Sequence, residues 1–116
     1  DLFDLFEGVA HQNLHDKEFS VTAKIATTVM LVSGGYPEAY NKGAKITGLE
    51  NIQESIVFHA GTTEKDGAVI TNGGRVIAVT SLADTLQETL DASYKSIDEI
   101  HFEKMNYRKD IGFDLV

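Results

Sequence analysis

SIVFHAGTTEKDGAVITNGGRVIAVT, residues Ser55 to Thr80, decides the fold. It holds three short β-rich runs: Ile56-Val57-Phe58, Ala68-Val69-Ile70 and Val76 to Val79. β-branched and aromatic side chains in runs of this length favour strands. Two glycine turns separate them. Glu64-Lys65-Asp66-Gly67 predicts a hairpin turn, because Asp-Gly supplies the positive φ angles of a two-residue primed turn. Thr71-Asn72-Gly73-Gly74 predicts a second turn, ending against Arg75. Paired glycines let backbone N–H groups approach a ligand without Cβ interference. A guanidinium beside them offers five donors in a planar fork that suits phosphate or carboxylate.

Further blocks lie outside this stretch: Ser33-Gly34-Gly35-Tyr36-Pro37, Gly43 to Gly48 (GAKITG) and Tyr107-Arg108-Lys109-Asp110-Ile111-Gly112. Together with VFHAGT and TNGGRV, in this order over about Thr28 to Phe113, they resemble the C-terminal domain of the phosphoribosylamine–glycine ligase (glycinamide ribonucleotide synthetase) family. The family is an ATP-grasp ligase family of purine biosynthesis. The resemblance implies an α+β fold, mainly antiparallel β and similar to a barrel-sandwich hybrid (a rudiment single hybrid), with one packing helix. It implies that residues 1–18 are the terminal helix of an ATP-grasp core and residues 19–116 the C-terminal domain.

The activity so implied joins glycine to 5-phosphoribosylamine with ATP hydrolysis, in the cytoplasm, giving glycinamide ribonucleotide. ATP and magnesium or manganese are then held by upstream domains of the same chain, and this piece is expected to be inactive alone. Its task would be to close the substrate side of the active site. The rival readings are the end domain of another ATP-grasp ligase or carboxylase, and a binding or scaffold domain without catalysis.

Composition agrees with a globular domain. At 116 residues with 42% hydrophobic content, one ordinary core can form. A net charge of −8 argues against a nucleic-acid surface, and no apolar run reaches membrane-spanning length. With no cysteine there is no disulfide or thiolate site. Local phosphate binding remains open to the two arginines, Arg75 and Arg108, both of which sit in the family blocks.

The substrate-facing candidates are Arg75, Gly73, Gly74, Tyr36, His59, Arg108 and Lys109. Arg75 leads, because an arginine at the start of the strand before the last helix lies near the ribonucleotide phosphate in related ligases. For Tyr36 the alternative is a residue capping a core after a glycine turn. For His59 it is a hydrogen-bonded structural histidine. For Arg108 and Lys109 it is a turn neutralised by Asp110. No catalytic nucleophile–base pair, P-loop or metal-binding carboxylate cluster is legible. His11 and His15 have the spacing of half a zinc site on a helix, but no third ligand is suitably spaced. Lys65 sits on a hairpin tip like the modified lysine of a biotin or lipoyl carrier, but its flanks lack the carrier motifs.

The remaining elements follow from pattern. Leu2, Phe3, Leu5, Phe6, Val9 and Ala10 predict an N-terminal helix with a broad apolar face. That face is expected to be covered by a second copy or a crossing strand. Thr28 to Val32 predicts a buried strand. Lys45-Ile46-Thr47 predicts a short strand, with Lys42 and Lys45 solvated, and Leu49 to Glu54 a single helical turn carrying Ile52 inward. Asp84 to Ile100 predicts a helix capped by Asp84 with Gln87 at the third position, burying Leu86, Leu90, Tyr94 and Ile97. His101 to Tyr107 predicts a returning strand through Phe102 and Met105.

Overall fold

The apolar runs become two nine-residue strands and a set of shorter ones. β1 (Ile25–Ser33) and β5 (Arg75–Ala83) form the long central pair, and β2 (Ile56–His59), β3 (Thr62–Lys65), β4 (Ala68–Thr71) and β6 (Met105–Asn106) complete the β structure. These elements come from a computed structural model that describes residues 1–115. Four strands form one sheet in the order β2-β5-β1-β6, with every neighbouring pair antiparallel. β3 and β4 form a separate hairpin. The two helices are α1 (Leu2–Ala10) and α2 (Leu86–Glu99). The architecture is therefore mixed α and β with mainly antiparallel sheets, as expected.

The Asp66-Gly67 turn forms as the local chemistry dictates, with φ of 52° and 73° at its two residues. The strand that enters it, Thr62–Lys65, carries polar, exposed side chains and so gave no apolar run. Ile56-Val57-Phe58 pairs instead with β5, where Val57 faces Val79 and Phe58 faces Ala78. The stretch Lys45-Ile46-Thr47 makes two isolated bridges, to Ile70 and His101, rather than a strand. Leu49–Asn51 forms one 3-10 turn, and Ile52 packs against the core. The predicted strand over His101 to Tyr107 is shorter than expected. Glu103 and Lys104 turn the chain, with Lys104 at φ 56°, so only Met105 and Asn106 reach β1.

The core lies between the sheet and α2. Val29 and Leu31 of β1 and Ile77 and Val79 of β5 meet Ile97 and Ile100, with Ile46, Val76 and Phe102 at the margin. Two details of α2 differ from the pattern reading. Its cap is Thr85, whose hydroxyl accepts from Glu88 N–H while the Glu88 carboxylate accepts from Thr85 N–H. Asp84, one residue earlier, pairs with Lys24 at 2.6 Å. The fully enclosed positions of α2 are Thr89, Ser93, Ser96 and Ile97, while Leu86, Leu90 and Tyr94 are half-buried. Small hydroxyl side chains let the helix sit close to the sheet. Their hydroxyls all find partners: Ser93 Oγ donates to Ser81 Oγ at 2.8 Å and lies 3.1 Å from Thr27 Oγ1, Ser96 Oγ lies 2.7 Å from Ser55 Oγ, and Thr89 Oγ1 donates to Leu86 C=O within the helix. Leu86 and Leu90 flank Gly112 of the C-terminal tail, and the Tyr94 hydroxyl donates to Arg108 C=O at 3.0 Å.

α1 forms as predicted, with the Asp1 carboxylate accepting from Phe3 N–H. It ends at Ala10, so His11 is its C-cap and His15 belongs to a separate 3-10 turn. The two imidazoles do not share one helical face. Lys17 pairs with Asp4 across Gly8 and fixes the returning chain.

Candidate functional site

The far side of the sheet carries no second layer among the described residues. Alternation puts Thr27, Val29 and Leu31 toward α2 and Thr28 and Met30 away from it. On β5, Ile77, Val79 and Ser81 face α2. Strict alternation would send Arg75 the same way. The register instead shifts between Leu31 and Val32, so that Arg75 pairs with Val32 while Ile77 pairs with Leu31. Val76 is the extra residue. Such a bulge breaks the alternation and re-aims a side chain. Here it turns Arg75 to the face of Met30.

On that face Arg75 borders an open cleft of about 610 Å³ with Met30, Tyr36, Ala60, Gly61 and Gly74. The cleft has a rigid frame. Ser33, the last residue of β1, donates its N–H to Gly74 C=O at 2.8 Å and its hydroxyl to Gly73 C=O at 2.9 Å. Thr71 is buried and exchanges two backbone-directed bonds with Ala44. Asn72 N–H donates to Gly61 C=O at 2.7 Å, and Gly61 N–H donates to Arg75 C=O at 2.8 Å. The carbonyls of Gly73 and Gly74 are thus engaged by Ser33, and Thr71 C=O accepts from Gly43 N–H at 2.7 Å. The N–H groups of Gly73 and Gly74 donate to no partner among the described residues. The Tyr36 ring lies directly on Gly74, where any Cβ would overlap it, and meets Tyr40 edge-on at 5.9 Å.

The predicted site residues divide by place. Tyr36, Gly73, Gly74 and Arg75 come together at this cleft. His59 lies at the end of β2, two residues before Gly61, with its Nδ1 2.9 Å from Thr62 Oγ1. It steadies the β2–β3 connection. Arg108 and Lys109 sit in the tail packed on α2. Arg108 grips Asp110 with two bonds of 2.9 and 3.0 Å. That contact raises the guanidinium pKa and holds the Asp110 carboxyl below the usual carboxylate value. Lys109 lies 5.9 Å from the centre of the Tyr107 ring. Arg75, by contrast, has no ion-pair partner among the described residues.

Pattern reading missed Met30, Ala60 and Gly61 as cleft residues. The Ser-Gly-Gly and Ala-Gly-Thr sequences signalled turns there, but their convergence is set by pairings remote in the chain. No group of three or more His, Asp or Glu side chains among the described residues is arranged to hold a metal ion.

The family model described as phosphoribosylglycinamide synthetase, C domain, matches residues 26–114. The chain belongs to this family.

Relatives of this synthetase C domain are similar along nearly its whole length. The bifunctional purine biosynthetic protein PUR2,5 of Pichia angusta is 45% identical over 97% of the chain, which spans 14% of that relative. The phosphoribosylamine–glycine ligase of Caldanaerobacter subterraneus subsp. tengcongensis is 40% identical over 97% of the chain, which spans 27% of it. A solved structure, the phosphoribosylamine–glycine ligase of Thermotoga maritima, superposes on 90% of the chain with a TM-score of 0.75 and 34% identity, again over 27% of its own length. The chain spans about a quarter or less of each of these proteins.

Proposed function

We propose that this domain is the C-terminal part of a phosphoribosylamine–glycine ligase and closes the substrate side of its active site. The observation that carries this reading is Arg75, without an ion-pair partner among the described residues and turned by a bulge into an open cleft beside the Gly73-Gly74 turn of a synthetase C domain. A planar cation with adjacent backbone N–H donors suits the phosphate of 5-phosphoribosylamine.

The reaction assigned to the intact ligase activates the glycine carboxylate with ATP and joins it to the ribosylamine nitrogen, releasing ADP and phosphate. ATP and its metal are assigned to the upstream domains of the ligase. The domain's own part is binding and orientation: Arg75 anchors the phosphate and the framed turn fixes where it sits. Tyr36 forms the cleft wall over Gly74. Arg108 and Lys109 are assigned secondary roles, because Asp110 already neutralises Arg108.

Residues 1–18 are assigned to the ATP-grasp core and residues 19–116 to the C-terminal domain, with a barrel-sandwich-hybrid relationship for the latter. The open sheet face supports a partner within the same polypeptide. Ile56 and Phe58 are each about half exposed there, 50% and 52%, beside the cleft. Upstream ATP-grasp domains would cover it and supply the second wall. A cytoplasmic setting goes with this assignment.

The deciding experiment is Arg75→Ala in the intact ligase. Loss of a charged hydrogen bond should weaken use of phosphoribosylamine by about 2–3 kcal/mol in kcat/KM, with the KM for ATP nearly unchanged. An equal loss for both substrates would refute phosphate anchoring by Arg75. The 116-residue chain alone is expected to show no ATP-dependent turnover.

A further inference from the structure

Gly61 has no role in the family resemblance beyond being part of a turn, yet it occupies the tightest backbone crossing at the cleft. An ideal Cβ built on Gly61 would stand 2.5 Å from Arg75 C=O and 2.7 Å from Gly73 Cα. Built on Gly73, it would stand 3.0 Å from Gly61 Cα. Two chain segments therefore pass at backbone contact: the β2–β3 connection and the turn between β4 and β5. The φ of Gly61 is not in the left-handed region, so conformational freedom does not explain a glycine there. Close approach does.

The crossing is also bonded in both directions. Gly61 donates to Arg75 C=O and accepts from Asn72 N–H, and Ala60 N–H donates to Val76 C=O at 3.0 Å. Arg75 and Val76 are the two residues at the bulge. The register shift that aims Arg75 into the cleft is thus clamped from β1 by Ser33 and from the opposite side by Gly61.

We propose that Gly61 is a positioning residue for substrate binding: its missing side chain lets the β2–β3 connection lock the Arg75 bulge from behind and so fixes the direction of the guanidinium. The proposal rests on the reading of Arg75 as the phosphate anchor. A methyl group at Gly61 separates the two segments, lengthens the bond to Arg75 C=O and releases the bulge. Misplacement of a binding group by about 1 Å can cost up to a hundredfold in rate.

The test compares Gly61→Ala, Gly73→Ala and Arg75→Ala in the intact ligase, with separate KM values for phosphoribosylamine, glycine and ATP. Gly61→Ala should raise the KM for phosphoribosylamine about tenfold or more, leaving the KM values for glycine and ATP near those of the parent. Adding Gly61→Ala to Arg75→Ala should cause little further loss, because the group being positioned is already gone. An unchanged phosphoribosylamine KM, or an equal rise for all three substrates, would overturn the positioning role. If Gly61→Ala does not fold, Gly73→Ala decides, since its Cβ needs a smaller adjustment across the same crossing. A selective KM rise that disappears when Arg75→Ala is also present then supports the proposal, whereas a rise that adds to that of Arg75→Ala, or a uniform or absent effect, refutes it. A normal Arg75→Ala enzyme would instead overturn the anchor reading on which the proposal depends.

Discussion

The hydroxyl of Ser55 lies 2.7 Å from the hydroxyl of Ser96, closing a chain of hydrogen bonds between the sheet and α2. Ser55 also lies 2.8 Å from Ser81, which accepts from Ser93, which in turn meets Thr27. Removing one buried hydroxyl leaves its neighbours short of a partner. Ser93→Ala is expected to lower the unfolding free energy by about 1–2 kcal/mol, read from chemical denaturation. The double variant Ser81→Ala and Ser93→Ala should cost less than the sum of the single variants. Full additivity would mean that the hydroxyls do not act as a network.

Two glycines separate the cost of backbone conformation from the cost of collision. Gly48 and Gly67 both have positive φ, 85° and 73°. A Cβ at Gly67 meets nothing within 4 Å, whereas at Gly48 it would run into the carbonyl of Glu99 at the end of α2. Gly67→Ala should therefore cost about 1–2 kcal/mol, the left-handed penalty alone. Gly48→Ala should cost about 2–4 kcal/mol, because backbone must also move. Thermal unfolding of the two variants side by side checks the order. A Gly67→Ala variant less stable than Gly48→Ala would contradict it.

The tail has a pH dependence of definite sign. Hydrogen bonding to Arg108 holds Asp110 below its ordinary value of 3.8 in the folded chain. A depressed carboxylate stabilises the fold at neutral pH and loses that contribution as pH falls through the ordinary value and below. Tail packing around Tyr94 and Tyr107 should loosen in that acid range, as followed by tyrosine resonances. Asp110→Asn should remove this transition. Both partners are exposed, so the effect should be small and should shrink in high salt.

The apolar face of α1 predicts association. Leu2, Phe3, Phe6 and Val9 are all more than half exposed, and Leu14 and Phe19 extend the patch. Such a patch on a free domain marks a contact surface. The 116-residue chain is expected to self-associate in sedimentation velocity, and Phe6→Glu should shift it toward monomer. A parent chain that stays monomeric at every concentration, with no binding of an apolar dye, would exclude this contact.

Local preference was legible wherever adjacent residues decide it. Asp66-Gly67 specified its primed turn, and the apolar runs placed β1, β2, β4 and β5 within a few residues. The blocks around Tyr36 and Arg75 pointed to the family and to a cleft of which four predicted residues form part. What the sequence did not determine is which way each element faces. α2 was recognisable as a helix, but its sheet-facing stripe is Thr89, Ser93 and Ser96 rather than Leu86, Leu90 and Tyr94. Ser93 and Ser96 can be buried because Thr27, Ser55 and Ser81 arrive from remote parts of the chain to satisfy them, while the Thr89 hydroxyl donates to Leu86 C=O within the helix. The pairing of Arg108 with Asp110, two residues away, was legible as a neutralised turn. Only the folded chain, by one extra residue in β5, turns Arg75 into the open cleft. Turns and helices follow from torsional preferences of neighbours, whereas facing and pairing depend on partners that only folding brings within a few ångströms.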